Sequence, residues 1–391
     1  MYERKLAPLL AKSLKSYDVV TLLGARQTGK TTLVQEVFKQ FQYISLEDPD
    51  IRSRAVEDAR GFFSTLNDEV ILDEIQRVPE LTSYIQTIVD QKNNKRKFVL
   101  TGSNSSMLVS SVSQTLAGRT EVFELHSLSV EELGQSKKVN SLNDFLFNGG
   151  YPRIHSQDLD STKWLKNYFQ LYVEKDIRLI ANITNLDIFE RFVRLTAGRV
   201  GQLINASQLG NEVGVTSPTI TNWISALKST FICFSLNPHH QNFNKRIVKT
   251  PKLYFYDTGL LCYLLGITTC DQLDIHPLRG QIFENFIVSE FVKAKTNRAK
   301  EVNLFFWRDQ KGHEIDVIED LSTHLNPIEI KMSSTFNSSF VKNIEYFNQL
   351  QSENIGKNFK KVESILIYAG EEDMLFKQIK CENWKKHFEN L

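Results

Sequence analysis

The sequence predicts an α/β protein in which a parallel sheet is followed by a helical section and by a second α/β unit. An apolar run at 19–23 precedes a glycine-containing loop at 24–31, and a helical pattern follows that loop. A second apolar run, at 70–72, ends in two acids, as expected for a strand buried on both faces of a parallel sheet. Three further apolar runs between 303 and 331 predict the strands of the second unit.

The chain has 391 residues, more than one hydrophobic core usually organises. We predict an α/β domain at 1–150, a helical section with a helix-turn-helix at 151–265, and a second α/β domain at 266–391. The net charge is +1, so no global field draws the protein to nucleic acid, and any such contact must come from a local patch.

Cysteine usage and the residues at the start of the chain predict a cytoplasmic protein. The four cysteines form no CxxC pair, so we expect reduced, mostly buried thiols. Residues 1–5 lead into an amphipathic helix without the apolar core of a signal peptide. No apolar run reaches the roughly 18 residues that suggest a membrane span. We therefore expect a cytoplasmic protein that does not contact a membrane.

The phosphate-loop pattern GxxxxGK[ST] is matched by Gly24-Ala25-Arg26-Gln27-Thr28-Gly29-Lys30-Thr31. The glycines let successive N–H groups turn inward, and the helix that opens at Thr32 adds a positive end, so these residues should cradle phosphate oxygens. Lys30 would reach the β- and γ-phosphates, and the Thr31 hydroxyl would ligate Mg²⁺. A glycine turn that matches by chance is the alternative; the strand before it and the helix after it favour nucleotide binding.

The acids Asp73 and Glu74 follow the apolar run at 70–72 and are predicted to form a Walker B pair. The carboxyl end of that strand lies where the phosphate loop also lies, so Asp73 would hold Mg²⁺ through water. Glu74 would then polarise the water that attacks the γ-phosphate. The alternative is a solvated turn.

Two further polar residues are candidates for contacts with the γ-phosphate or its transition state. Ser103 follows the apolar run at 98–100, where a small polar residue would sense the γ-phosphate or the attacking water; Asn104 is its neighbour, and a simple strand-terminal turn is the alternative. Arg119 is a candidate arginine finger, which would act from a neighbouring subunit of a homo-oligomer. A surface or salt-bridged arginine is the alternative.

These motifs resemble those of the AAA-type ATPases of bacteria and archaea that carry a C-terminal domain of unknown function. The resemblance runs through the phosphate loop and through Leu72-Asp73-Glu74-Ile75-Gln76 and Leu100-Thr101-Gly102-Ser103. It continues through Leu116-Ala117-Gly118-Arg119 and Gly149-Gly150-Tyr151-Pro152, and it covers nearly the whole chain. It implies a P-loop NTPase fold of the AAA type and ATP as the nucleotide; the residues alone leave GTP open.

The middle of the chain predicts a helix-turn-helix. A short helix at 204–213 is followed by a turn at Gly214, and a second helix is expected to be capped by Ser217. Two strand-like runs follow, and the segment between them contains His239, His240, Lys245, Arg246 and Lys249 without any acid. This order is typical of a winged-helix module that contacts the DNA backbone. Packing alone is the alternative.

The last third of the chain places three acids and a lysine on consecutive predicted elements. Glu284 lies on a predicted helix, Asp316 lies on one strand, and Glu329 and Lys331 share a face of the next strand because side chains alternate. This order resembles that of the PD-(D/E)XK nuclease superfamily, and the resemblance implies a nuclease-like α/β domain.

These residue types also suit metal-dependent cleavage of a phosphodiester. Asp316 and Glu329 would bind Mg²⁺ or Mn²⁺, with Glu284 in support. Lys331 would orient the attacking water and steady the developing charge. The alternative is a sheet edge with solvated charges.

The sequence therefore favours an AAA-type ATPase whose nucleotide state controls DNA binding and metal-dependent cleavage by its C-terminal domain. The rival hypothesis is an ATP-dependent switch whose last domain only binds DNA or a protein partner.

Overall fold

The computed structural model describes residues 2–103, 112, 114–134, 139, 141–181, 183–239, 250–321, 323–353 and 360–389. The predicted sensor neighbour Asn104 and the basic residues His240, Lys245, Arg246 and Lys249 lie outside these ranges. No helix within the described ranges combines the length and the apolar content needed to cross a membrane.

Five strands of the described residues form an all-parallel sheet in the order β2-β3-β4-β1-β5, which confirms the predicted parallel sheet. In chain order, the elements up to residue 134 are α1 (Ala7–Ser13), β1 (Val19–Leu23), α2 (Lys30–Val37), β2 (Gln42–Ser45), α3 (Pro49–Glu57), α4 (Ala59–Ser64), β3 (Glu69–Asp73), a 3₁₀ turn (Ile75–Arg77), α5 (Leu81–Val89), β4 (Lys97–Gly102), β5 (Thr120–Glu124) and α6 (Val130–Leu133).

Both faces of this sheet are covered by apolar side chains. Val70 and Leu72 of β3 belong to one hydrophobic core, while Ile71 between them belongs to the core on the opposite face. All three are buried, because helices pack on both sides. The carboxyl ends of β1 and β3 therefore meet at one edge, where the loop at 24–31 and the acids at 73 and 74 come together.

The helical section consists of α7 (Leu142–Asn148), α8 (Pro152–Ser156), α9 (Ser161–Tyr168), a π-helical segment (Phe169–Val173), α10 (Glu174–Ala181), α11 (Leu186–Ala197), α12 (Ala206–Val213) and α13 (Ser217–Ser229). Its aromatic residues form a core, in which Trp223 packs edge-on against Phe189, with ring centroids 5.4 Å apart.

The helix-turn-helix geometry is present in α12 and α13. Gly214 ends α12 in the left-handed conformation, with φ 88°, which glycine adopts without steric cost. The predicted cap at Ser217 is one residue late. Thr216 is the cap, because its extended backbone lets the hydroxyl accept the Thr219 N–H.

The C-terminal sheet has the strand order β13-β14-β12-β10-β9-β8-β6-β7, with β11 paired to β10 among the described residues. Its elements are β6 (Cys233–Pro238), β7 (Lys252–Phe255), α14 (Thr258–Leu264), α15 (Gln272–Ile275), α16 (Arg279–Thr296), β8 (Leu304–Arg308), β9 (Glu314–Asp320), β10 (His324–Lys331), a 3₁₀ turn (Ser338–Val341), α17 (Lys342–Glu353), β11 (Lys361–Val362), β12 (Ile365–Tyr368), β13 (Met374–Phe376), β14 (Ile379–Asn383) and α18 (Trp384–Glu389).

The two strands expected to form a wing extend this sheet. They pair with each other in antiparallel fashion, and β6 also runs parallel to β8, with Asn237 opposite Phe305. His239, expected to face solvent or phosphate, is instead buried, and its Nε2 lies 3.0 Å from Asp320 Oδ2. One hydrophobic core runs from the helical section into the sheet. The winged-helix interpretation and the division into three domains stay predictions.

Candidate functional site

The phosphate loop connects β1 to α2 and depends on two glycines. A Cβ at Gly24 would lie 2.1 Å from the Leu125 carbonyl oxygen, so the loop can pass β5 only with glycine there. Gly29 caps α2 with φ 93°, a left-handed conformation. The N-terminus of α2 therefore points its free N–H groups into the loop.

The loop borders a cavity of about 540 Å³. The loop residues that line it are Arg26, Gln27, Thr28, Gly29, Lys30, Thr31 and Thr32. Gly24 and Ala25 contribute differently, because their carbonyl oxygens accept hydrogen bonds from Lys30 Nζ at 3.0 and 2.9 Å. Lys30 is only 4% exposed, so the ammonium is held by backbone oxygens inside the loop.

Hydroxyl groups surround the carboxylate of Asp73. The Thr31 hydroxyl donates to it at 3.0 Å and the Tyr43 hydroxyl at 2.7 Å, while Thr101 also donates to it. Burial, and then the hydrogen bond to Asp73, raise the pKa of Tyr43 above its ordinary value. A hydroxyl and a carboxylate oxygen converging beside the phosphate loop fit Mg²⁺, which prefers oxygen ligands.

Glu74 lies next to Asp73 and also lines the cavity. Its backbone adopts a left-handed conformation, with φ 59° and ψ 46°, which costs a non-glycine residue about 1 kcal/mol. The Glu74 N–H donates to Thr101 at 3.1 Å, and its carboxylate accepts hydrogen bonds from Ser103 at 3.0 Å and from Gln76. These contacts aim the carboxylate at the cavity.

Ser103 therefore acts on Glu74 in this structure, and the cavity lining does not include it. Gln76 also donates to the Ser103 hydroxyl, at 3.0 Å. The predicted direct contact of Ser103 with the γ-phosphate or the attacking water stays a prediction, and the geometry favours a role through Glu74.

Arg119 lies at the amino end of the sheet, away from the phosphate loop. Its carbonyl accepts the Val19 N–H at the start of β1, whereas the loop follows the end of that strand, roughly 16 Å away. The guanidinium pairs with Asp90 at 2.5 and 2.7 Å, and this pairing lowers the pKa of Asp90. Arg119 thus does not reach the nucleotide site of its own chain, and a role in a neighbouring subunit stays a prediction.

The second predicted site assembles at the middle of the C-terminal sheet. Asp316 of β9 accepts the Ile330 N–H at 2.9 Å, and Lys331 Nζ lies 3.5 Å from Asp316 and 2.5 Å from Glu329. Glu284 of α16 faces the same region and accepts the Tyr254 hydroxyl at 2.6 Å. The four predicted residues are therefore brought together from one helix and two strands.

Lys252 of β7 also belongs to this cluster, and the sequence did not single it out. Its ammonium lies 3.3 Å from Glu284 and pairs closely with Glu314, which the sequence also left unassigned. Burial opposes the charge of Lys252, but Glu284, Asp316 and Glu314 together raise the pKa of this lysine. It is therefore a cation, 3% exposed, among carboxylates.

The cluster differs from the predicted metal site. Among the described residues, no group of three or more His, Cys, Asp or Glu side chains is arranged to hold a metal ion. Burial, and then the charge of Asp316, raise the pKa of Glu329 to about 8, while Lys331 opposes the shift. The acids face two internal ammonium groups, so the cluster in this arrangement does not fit Mg²⁺ or Mn²⁺.

Three family models match successive parts of the chain, and the first and last of these parts contain the two sites. Residues 16–134 match the AAA domain, residues 139–271 match a domain of unknown function (DUF8612), and residues 279–384 match another (DUF4143). The uncharacterized protein Rv2008c of Mycobacterium tuberculosis is 30% identical over 85% of this chain and 74% of its own length. The chain belongs to the AAA-type ATPases with a C-terminal DUF4143 domain.

Other relatives extend the comparison. The uncharacterized protein Mb2031c of Mycobacterium bovis matches to the same extent as the tuberculosis protein, and an uncharacterized protein of Haemophilus influenzae is 26% identical over 64% of this chain and 70% of its own. Among solved structures, the Walker-type ATPase PABY2304 of Pyrococcus abyssi is 16% identical, with a TM-score of 0.47, over 68% of this chain and 96% of its own.

Arg4 is a residue of this AAA-type ATPase that sequence reasoning missed. It lines the nucleotide cavity, and its guanidinium donates to the Thr28 carbonyl at 2.9 Å, to the His126 carbonyl at 2.7 Å and to Glu132 at 3.0 Å. No local pattern distinguishes Arg4 from the other charged residues near the start of the chain, because its partners are distant in sequence.

Glu132 continues the polar contacts towards the DUF4143 domain. It forms a capping box with Ser129 at the start of α6, and the next N–H, that of Val130, donates to Glu290 of α16 at 2.7 Å. Lys293 binds Glu290 at 2.9 Å. Burial raises the pKa of Glu290, and Lys293 opposes that shift. A buried polar path thus runs from the phosphate loop to α16.

The Gly149-Gly150-Tyr151-Pro152 motif places Arg153 at the cavity of the ATPase. A Cβ at Gly149 would lie 2.2 Å from Asp257 Oδ1, and one at Gly150 would lie 2.3 Å from the Leu128 carbonyl oxygen. The Gly150 N–H donates to Asp257 at 2.8 Å. Close packing therefore requires both glycines, and the motif was the signal that could have identified Arg153.

Proposed function

We propose that this AAA-type ATPase is an ATP-driven switch whose nucleotide state controls DNA binding by its middle and C-terminal parts. Mg²⁺ and ATP are the proposed ligands of the cavity beside the phosphate loop. The last two thirds of the chain would change their engagement with DNA when the nucleotide is hydrolysed.

The residues around the cavity supply the chemistry of hydrolysis. Lys30 and the N–H groups of residues 27–31 would hold the phosphate oxygens. Mg²⁺, held by Thr31 and through water by Asp73, would draw charge from the β- and γ-phosphates. Glu74 would accept a proton from the attacking water, and its hydrogen bonds to Ser103 and Gln76 keep it oriented.

The observation that carries the proposal is the buried path from the phosphate loop to α16. Arg4 touches the loop carbonyl of Thr28 and the buried Glu132, and the adjoining backbone at Val130 is held by Glu290. Few ionisable groups are buried without partners, so movement of the loop would be costly unless its partners followed. Nucleotide binding at the loop therefore has a physical route to the C-terminal domain.

DNA is the proposed partner because of the helix-turn-helix and the segment that follows it. Thr221, Asn222 and Lys228 are exposed on α13. Residues 240–249 lie between β6 and β7 in the sequence and contain three lysines or arginines and no acid. Such a segment suits phosphate contacts, which are independent of base sequence and sensitive to salt.

The test is the affinity of the full chain for a fluorescent DNA duplex, measured by anisotropy without nucleotide, with ADP and with ATP. Glu74→Gln holds the ATP state, and Lys30→Ala removes the response. We expect the ATP and ADP affinities to differ by about fivefold or more, as for typical allosteric coupling. Equal affinities in all nucleotide states would contradict the proposal. The absence of DNA binding at low salt, about 50 mM, would contradict it as well.

Metal-dependent cleavage of DNA is the second candidate function, and it would require an arrangement in which Lys252 is withdrawn from Glu284 and Glu314. Its support is the convergence of Asp316, Glu329 and Lys331 on neighbouring strands. Plasmid and single-stranded DNA would be incubated with Mg²⁺ or Mn²⁺, with and without ATP, and Lys331→Ala would be the matched variant. Cleavage that this variant abolishes would establish a nuclease. Nucleotide-dependent binding without cleavage would favour a domain that only binds DNA or a protein partner.

A further inference from the structure

The C-terminal carboxylate cluster contains a cation from outside the DUF4143 domain. Glu284, Asp316, Glu329 and Lys331 lie within the match at 279–384, whereas Lys252 lies within the preceding match at 139–271. Its ammonium reaches Glu284 and Glu314 and lies 5.6 Å from the centre of the Phe306 ring. The middle part of the chain therefore places a positive charge inside the acidic cluster.

The backbone around Lys252 holds this charge in place. Lys252 bridges to Leu203 in antiparallel fashion, and the Gly201 N–H donates to the Leu253 carbonyl at 2.9 Å. At Gly201 a Cβ would lie 3.2 Å from Glu284 Oε1, so the turn before α12 packs directly on that carboxylate. β7 is fixed on its other edge by β6. The lysine is thus held by backbone pairing on both sides.

A divalent ion at Glu284 would need an oxygen that this lysine already contacts. Hard cations are held by carboxylate oxygens. The charges of Glu284, Asp316 and Glu314 are those that raise the pKa of Lys252. An ammonium within 3.3 Å of Glu284 both occupies that oxygen and repels a second cation. Glu284 and Glu314 therefore already have a counter-ion.

We propose that Lys252 is the resident cation of the C-terminal cluster and keeps divalent metal ions out of it. The cluster binds Mg²⁺ or Mn²⁺ only when this ammonium is removed or withdrawn from the acids. The inference goes beyond the proposed DNA switch and does not depend on it, because it concerns what the cluster binds in the absence of nucleotide and DNA.

The experiment measures Mn²⁺ binding to the full chain by electron paramagnetic resonance without nucleotide. The variants are Lys252→Met, which keeps the length of the side chain, and the double variant with Asp316→Asn. We expect Lys252→Met to gain one Mn²⁺ site that wild type lacks, at least about tenfold tighter than any surface binding of Mn²⁺ by wild type. The double variant should lose that site. Mn²⁺ should also raise the melting temperature of Lys252→Met and leave that of the double variant unchanged.

Two comparisons separate this result from other metal binding. Lys295→Met removes a half-buried lysine of the same domain, one paired with Glu319, and should gain no Mn²⁺ site. Any ion held beside the phosphate loop is identified by its loss in Asp73→Asn.

Two outcomes would overturn the inference. One is a wild-type Mn²⁺ site that Asp316→Asn removes, and this comparison stands even if Lys252→Met does not fold. The other is a folded Lys252→Met protein with no added site. Neither outcome involves DNA, so failure of the DNA switch and failure of this inference are distinguishable.

Discussion

The phosphate-loop site and the C-terminal cluster are built from the same residue types but neutralise their charges differently. At the first site Asp73 is surrounded by the hydroxyls of Thr31, Tyr43 and Thr101, while Lys30 is held by backbone oxygens. At the second, lysines pair directly with the acids. A carboxylate that accepts only neutral donors keeps its charge for a metal ion, whereas one that meets an internal ammonium is already compensated.

Lys30 and Asp73 are buried like the residues of the second site, but they border a cavity. The first site opens on a cavity of about 540 Å³, large enough for a nucleotide. In the second, Lys252, Asp316 and Glu329 are all buried. Like residue types therefore do not predict like chemistry; the neighbours of each acid decide whether it binds a ligand or stabilises the fold.

The largest effect is expected from Glu74→Gln, which tests whether the first site is catalytic. We expect ATP turnover to fall by about 10²–10⁴-fold, because the amide cannot accept a proton from water. Nucleotide affinity should be retained. Phosphate release and binding of a fluorescent ATP analogue measure the two quantities. Ser103→Ala, which removes only a hydrogen bond to Glu74, should cause a smaller loss, and an equal loss would contradict the positioning role of Ser103.

The next largest effect is expected from Lys252→Met, which tests whether this lysine neutralises the acids of the second site. The variant leaves Glu284 without its ammonium partner, although Glu314 keeps Arg308 at 3.4 Å, and it should lower the free energy of unfolding by about 3–5 kcal/mol. Urea denaturation measures it. Lys361→Met removes an exposed lysine paired with Glu363 and should change stability by less than about 0.5 kcal/mol. Equal stability of the two variants would show that Lys252 is not needed by the acids.

Arg4→Ala tests whether the two regions communicate. It leaves Glu132 buried without its guanidinium partner and should cost about 3 kcal/mol of unfolding free energy. The ATP and ADP affinities for DNA should also become equal. Lys5→Ala removes only the neighbouring surface pair with Glu131 and should preserve the nucleotide response. A response that persists in folded Arg4→Ala protein would exclude this path.

The smallest effect is a pH dependence at Glu290. Burial raises the pKa of this carboxyl in the folded protein above its ordinary value of 4.5. The folded state therefore binds more protons than the unfolded state. As a result, the free energy of unfolding falls as the pH rises from about 4.5 through the raised pKa. The slope is at most about 1.4 kcal/mol per pH unit. Denaturation of wild type and Glu290→Gln would be measured between about pH 5 and 7, where the raised pKa affects stability. The free energy of unfolding should fall more steeply with pH for wild type. Parallel profiles would contradict the raised pKa.

The sequence by itself determined the parts of the protein that depend on local patterns. The loop at 24–31, the buried strand before Asp73 and the helix-turn-helix at Gly214 each follow from residues close together in the chain, because turns, caps and alternation are local properties. The order of Glu284, Asp316, Glu329 and Lys331 likewise predicted that these residues would meet.

Only the tertiary structure decided which charges surround the residues of the two sites. Arg4 meets Glu132 across 128 positions, and Lys252 meets Glu284 across 32, so no short pattern identifies either pair. His239 was expected at a functional surface, but Asp320 binds it instead, and Arg119, predicted to act in a neighbouring subunit, pairs with Asp90 of its own chain. A charged side chain is committed by whichever opposite charge the fold brings within a few ångströms, and that proximity is a property of the packed chain.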